Sequence, residues 1–224
     1  MFNKIILTLI MVFTLSVTTV AEAKRSTNQP KVSDHQAFNA VKRHIYEAEK
    51  KTGLRSGVIT SILSIESNMG RNTYNPKSNV RGAMQYKAST WRSDLNKHHR
   101  QLGLSKNASV KDPRASILVA SAAILDNKNY LEKKTGKRIT DGDLYMSQLV
   151  GLYGAEKILK GKSNESIAKY IRITAGNQRL MTNKGKPLTV KQFRAKLNQE
   201  VKSHERRYAL SLNKSETFLA KIKG

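Results

Sequence analysis

The chain is 224 residues long and carries 41 Lys and Arg against 16 Asp and Glu, a formal net charge of +25. Cysteine is absent, which excludes disulfides and thiolate metal sites. Hydrophobic residues make up 38%, enough for one core, and only the N-terminus is apolar enough to enter a bilayer, so a multi-span membrane protein is excluded.

Residues 1–23 read as an export signal. Lys4 is the single n-region charge, Ile5 to Val20 is apolar apart from Thr and Ser, and Ala21-Glu22-Ala23 supplies small residues before a cut expected after Ala23. The apolar run is short for a span, and an uncleaved anchor is the alternative. Export puts the protein in the periplasm or outside the cell. There, so large a positive charge implies an anionic envelope partner: wall polymers, lipopolysaccharide or a membrane surface of acidic lipid. No nucleic-acid motif is present.

Residues 24–33 are a flexible basic lead-in containing Pro30. Ser33 with Gln36 forms a capping box for a helix whose apolar stripe is Phe38, Val41, Ile45 and Ala48, ended by Thr52-Gly53. A second helix is expected from Ser56 to Gly70, then a loop from Arg71 to Tyr86. A helix carrying Trp91 and Leu95 stops at Gly103. Asp112-Pro113 opens an Ala-rich helix through Ile117 and Ile124 to Gly136, and Thr140 with Asp143 opens another carrying Leu144 and Leu149. Ser163 is expected to cap a short helix from Ile167 to Ile171. Asn183-Lys184-Gly185 is a turn with the only strand signal, a short hairpin around it. Thr189 with Gln192 opens a long helix through Phe193 and Leu197 towards Leu210. The fold class is mainly α: one domain over 34–212, expected to be a monomer, and a basic tail over 213–224.

The chemistry concentrates in the second helix and the loop after it. Glu66 follows Ile59, Ile62 and Leu63 at helical spacing and so falls on the apolar face. A carboxyl there is desolvated and its pKa rises, which suits a general acid; the plain alternative is a helix-end glutamate reaching water or an ion pair. Between Ser67 and Arg92 there is no second acid, and Asp94 or Asp112 would reach Glu66 only through the fold. A glycosidase of the two-carboxylate kind needs such a partner. The loop offers Asn68, Asn72, Asn75, Ser78, Asn79 and Gln85 instead, neutral groups that suit sugar hydroxyls and also form ordinary turns. His98-His99 are read as solvated rather than as ligands, since adjacent residues do not share a helix face. No metal or cofactor is called for.

Glu66-Ser67, then Asn75-Pro76-Lys77-Ser78, then Gly82-Ala83-Met84-Gln85 resembles the soluble lytic transglycosylase family of the lysozyme superfamily. Asp112 to Ile117 looks like the family's segment after the cleft. Leu144 to Ala155 looks like its next block, in the version common in phage and mobile-element members. Ala175-Gly176-Asn177, Lys184-Gly185 and Thr189-Val190 resemble the C-terminal block of that subgroup. The resemblance implies a goose-type lysozyme-like helical domain. It also implies a cofactor-free lyase that cleaves peptidoglycan glycan strands between N-acetylmuramic acid and N-acetylglucosamine and leaves a 1,6-anhydromuramyl end. In this reading Glu66 is the single acid and base. Ser67, Ser78, Met84, Gln85 and Tyr86 contact substrate or line the cleft.

The chain departs from the family in two places. The usual longer glycine loop is shortened to Gly82-Ala83-Met84-Gln85. Where many members have Tyr-Asn-x-Gly, this chain has Gln148-Leu149-Val150-Gly151, which leaves Tyr145 and Tyr153 as candidates for the assisting hydroxyl. A wall-degrading role as endolysin or autolysin follows. The rivals are a muramidase that uses water on the same bond, and a non-catalytic basic wall-binding protein. The last draws on Lys191, Arg194, Lys196, Lys202, Arg206 and Arg207, with Lys214, Lys221 and Lys223 beyond.

Overall fold

The box expected at Ser33 is formed: its hydroxyl accepts from the Gln36 amide at 3.1 Å and the Gln36 side chain accepts from the Ser33 amide at 2.8 Å. It opens α1 (Asp34–Thr52), whose buried stripe includes Phe38, Val41, Ile45 and Ala48. The computed structural model describes residues 33–76 and 78–222, with side chains through Leu212. The export signal, the lead-in before Ser33 and the side chains of Lys214, Lys221 and Lys223 lie outside the described residues. Among those described, no helix is long and apolar enough to cross a membrane.

The second helix, α2 (Ser56–Ser67), is buried almost all round, as expected of a helix without a polar face. Its apolar residues Val58, Ile59, Ile62 and Leu63 enter the core, and its small residues let neighbours approach closely. It ends at Ser67, not at Gly70. Asn68, Met69 and Gly70 all take left-handed backbone (φ 53°, 61° and 77°), which no helix continues. Met69 is buried, so its place in the apolar pattern reflects the core and not the helix.

The expected loop contains a short antiparallel hairpin, β1 (Tyr74–Asn75) with β2 (Val80–Arg81). Strands of two residues are too short to show alternation in the sequence. Next come α3 (Ala88–Leu102), α4 (Pro113–Thr135) and α5 (Asp141–Val150), with the expected caps at Gly103, Asp112, Gly136 and Thr140. Gly151 then separates α5 from α6 (Leu152–Lys160), a helix the sequence reading did not resolve. The helix expected from Ile167 to Ile171 is one 3₁₀ turn, Ile167–Lys169, capped by Ser166 and not by Ser163. Here the backbone pairs outward instead: Ile167 N–H donates to Leu188 C=O at 2.9 Å and Val190 N–H to Glu165 C=O at 2.9 Å. A second 3₁₀ turn (Ala175–Asn177) leads into α7 (Gln178–Met181), and the expected hairpin follows as β3 (Thr182–Asn183) and β4 (Lys186–Pro187).

The final helix, α8 (Val190–Ile222), opens with the Thr189–Gln192 box and keeps a helical backbone through 213–222. It buries Phe193, Leu197, Val201, Tyr208 and Leu212 and packs along α2 and α5. Three anchors fix it. Gly142 brings α5 so close that a Cβ there would lie 2.5 Å from the Asn198 backbone nitrogen. Arg55, before α2, bridges Asp141 at 2.6 Å and Glu205 at 3.1 Å. Arg194 grips the fully buried Asp143 through two bonds of 2.8 and 2.7 Å, while Asp143 also caps α5. Arg194 and Lys196 from the basic run are therefore structural, Lys196 binding the Arg179 and Thr182 carbonyls.

Removing Arg194 leaves a buried carboxylate without its counter-ion. Arg194→Ala is expected to lower unfolding stability by about 3 kcal/mol. Chemical denaturation checks this; a change under about 0.5 kcal/mol would show that the pair carries no weight.

Candidate functional site around Glu66

Glu66 sits in the last turn of α2, where the helix leaves the core, and its side chain is half-buried. Desolvation pushes its carboxyl from 4.5 up to about 7, and no charged neighbour contributes to that shift. Among the described residues it makes no hydrogen bond or ion pair. Asp94 and Asp112 do not complete a pair with it. Asp94 faces the Tyr86 hydroxyl and His98, and Asp112 caps α4 by accepting from Arg114 N–H at 3.0 Å. Among the described residues no second carboxyl contributes to the shift of Glu66, whose proton is poised near neutrality.

The turn after Glu66 is clamped from inside. The Ser67 hydroxyl donates to Leu63 C=O at 3.2 Å and accepts from Gly70 N–H at 2.8 Å. Arg71 spans from Asn68 to Asp34 at the start of α1, the last contact at 2.6 Å. The chain then doubles back through the hairpin. Arg81 and Tyr86 exchange backbone bonds of 2.9 and 2.8 Å, which closes the Gly82-Ala83-Met84-Gln85 loop. Gly82 has φ +78°, and a Cβ on it would lie 2.1 Å from the Val110 carbonyl oxygen, so only glycine fits. Met84 N–H donates to the buried Ser116 hydroxyl at 3.2 Å.

Several expected roles change. Ser67 is not a substrate contact: it is 1% exposed and both its partners lie in its own turn. The Gln85 amide nitrogen is taken up by the Asn72 and Gly82 carbonyls at 3.0 Å each, so the side chain shapes the loop first. Tyr86 is buried and packs edge-on to Trp91 with centroids 5.3 Å apart, which excludes it as a sugar platform. The exposed ring of this segment is Tyr74, with the Arg81 guanidinium 5.7 Å from its centroid. Nothing separated Tyr74 from Tyr86 in the sequence, because exposure depends on the hairpin. Met84 is buried beside the loop, and Ser78 is exposed in the hairpin turn. His98 is also not solvated. It is buried, bonded to Gln101 at 3.0 Å and 3.0 Å from an Asp126 oxygen.

Of the two tyrosines left open, Tyr145 on α5 is buried, and the Glu66 charge adds to desolvation in raising its phenol. Tyr153 is 72% exposed and packs edge-on to Tyr130 across 6.4 Å. The Arg179–Glu200 ion pair, 2.6 Å long, also acts on the Tyr145 phenol. No local signal announces that pair, since both residues are ordinary charges until α7 and α8 meet.

A carboxyl whose pKa is higher folded than unfolded binds more protons in the native state between those values, so its contribution to stability falls as pH rises from about 4.5 to 7. Glu66→Gln removes that penalty. It is expected to raise stability at about pH 8 by on the order of 1–3 kcal/mol relative to wild type, with the gain vanishing below about pH 4.5. Melting temperatures of both proteins across pH measure this; a pH-independent difference would contradict the raised value.

Residues 43–150 match the family model of the transglycosylase SLT domain. The match takes in the second half of α1, all of α2 with Glu66, the β1–β2 hairpin, the Gly82–Gln85 loop, α3, α4 and α5. Members of that family are lytic transglycosylases, lyases that cleave the glycan of peptidoglycan. With its mainly helical, lysozyme-like architecture, the chain carries a transglycosylase SLT domain over residues 43–150 and is a glycan-cleaving enzyme with peptidoglycan as its substrate.

Proposed function

We propose that Glu66 is the only acid and base of this enzyme and that the product is a 1,6-anhydromuramyl end. The observation that carries this reading is the half-buried, unpaired carboxyl held near a pKa of 7 with no second carboxylate acting on it. Protonated Glu66 gives its proton to the oxygen between N-acetylmuramic acid and N-acetylglucosamine, and the bond from that oxygen to the muramyl anomeric carbon breaks. The substrate's own N-acetyl oxygen stabilises the cationic carbon, the task a second carboxylate performs elsewhere. The Glu66 carboxylate then takes the proton of the muramyl 6-hydroxyl, whose oxygen bonds to the anomeric carbon. Glu66 ends protonated, ready for the next cycle, and no water is consumed.

Tyr145 assists by directing its hydroxyl to the reacting region beside the Glu66 carboxyl, which fits the effect of the Glu66 charge on its phenol. Met84 supports the cleft floor, the free oxygen of Gln85 and the Ser78 hydroxyl accept or donate to sugar N-acetyl groups, and exposed Tyr74 offers a ring for stacking. The net charge of +25 favours capture of the protein by anionic wall. An export signal over 1–23 and a wall-degrading role as endolysin or autolysin fit this substrate.

Mass analysis of muropeptides released from purified peptidoglycan tests the mechanism. Wild type is expected to yield anhydromuramyl ends, and Glu66→Gln to lose at least about a thousandfold in rate. Reducing ends in place of anhydro ends would make the enzyme a muramidase. Full activity in Glu66→Gln would remove Glu66 from the chemistry. Tyr145→Phe is expected to keep the fold and lower kcat by about ten- to a hundredfold with KM little changed; an unchanged kcat would exclude the tyrosine.

A further inference from the structure

Behind the Gly82–Gln85 loop lies a cavity of about 360 Å³ that the glycan chemistry does not use. Its inner wall is apolar: Trp91, Leu95 and Val110 line it beside the buried Tyr86. Its rim is cationic, with Arg81 from β2, Arg92 from α3 and Lys106 from the segment after α3. No acidic side chain lines it, and none of the three cations has a carboxylate partner among the described residues. Asp94, the one acid in the surrounding sequence, turns instead to the Tyr86 hydroxyl and His98. Arg81 is steadied by the Tyr74 ring. In so basic a chain many cations lack a carboxylate partner; Arg81, Arg92 and Lys106 are distinguished by bordering one apolar cavity together.

An apolar floor under a cationic rim fits a ligand that is small and apolar at one end and carries an oxyanion beside it. A phosphodiester polymer uses the cations and has nothing for Trp91 and Leu95. A polypeptide chain ending in alanine uses both: its methyl groups reach the floor and its terminal carboxylate meets the rim. Arg81 and Tyr86 also close the loop that follows Glu66, so the cavity lies one loop away from the glycan site.

We propose that this cavity is a second subsite of the enzyme that takes the free C-terminal carboxylate of a peptidoglycan stem peptide ending in D-alanine. The proposal rests on peptidoglycan as substrate and makes the enzyme prefer strands whose peptides are not cross-linked at that end. Trp91 is the single tryptophan of the chain, so its fluorescence reports on this cavity alone.

The test titrates the full-length protein with synthetic L-alanyl-γ-D-glutamyl-L-lysyl-D-alanyl-D-alanine, with the same peptide as its C-terminal amide, and with inorganic phosphate. The free acid is expected to shift Trp91 emission saturably. The amide should bind at least about tenfold more weakly, and Arg92→Gln with Lys106→Gln should lower affinity for the acid at least about tenfold with the melting temperature unchanged. Equal affinity for acid and amide, undiminished binding in the double variant, no saturable response, or phosphate binding as tightly as the peptide would each overturn the proposal. The assay contains no glycan and does not involve Glu66. Failure here therefore leaves the cleavage reading intact, and failure of Glu66→Gln to lose activity leaves this one intact.

Discussion

Taking a carboxyl out of water without giving it a partner is the constraint around which this structure is arranged. Left alone, Glu66 would ionise well below neutrality and hold no proton to donate. Burial of α2 on nearly every side raises its pKa to about 7. A cation nearby would lower the value again, and a second carboxylate would make the titration a property of a pair. Neither contributes to the shift of Glu66 here. Arg71, within five residues, is turned towards Asp34 and the Asn68 cap, and Arg179 is engaged by Glu200.

That isolation depends on elements far from Glu66 in sequence. The long helix α8 packs on α2 and α5, and the Asp143–Arg194 pair and the Gly142–Asn198 contact fix α5 against it. Tyr145 on α5 thereby comes within the field of Glu66. The turn clamped by Ser67 and Arg71 sets where the chain leaves α2, and the glycine loop returns it past Met84. The family match ends in α5, yet α8 supplies much of the packing against α2, the helix that carries Glu66.

Much of this was legible in the sequence because its signals are local. Ser33 with Gln36, Asp112 with Pro113, and Thr140 with Asp143 marked helix starts that formed as read, and the position of Glu66 on an apolar face followed from helical spacing. Features set by tertiary contact were not legible. Met69 looked helical because it is buried, while its backbone is left-handed. Ser67 and Tyr86 had the residue types of a binding site, but the first serves the α2 turn and the second the core around Trp91. His98 reads as solvated in the sequence because nothing local announces Asp126 and Gln101. Tyr145 could not be preferred to Tyr153 until α5 was placed beside α2.

The most direct test of the account is the titration of the Glu66 carboxyl itself, followed by carbon-13 NMR and assigned by the resonance missing from Glu66→Gln. The account predicts one transition at about pH 7, unaccompanied by a coupled carboxylate. A midpoint near the ordinary 4.5 would mean that the group is solvated or paired, and that the fold does not prepare it as an acid.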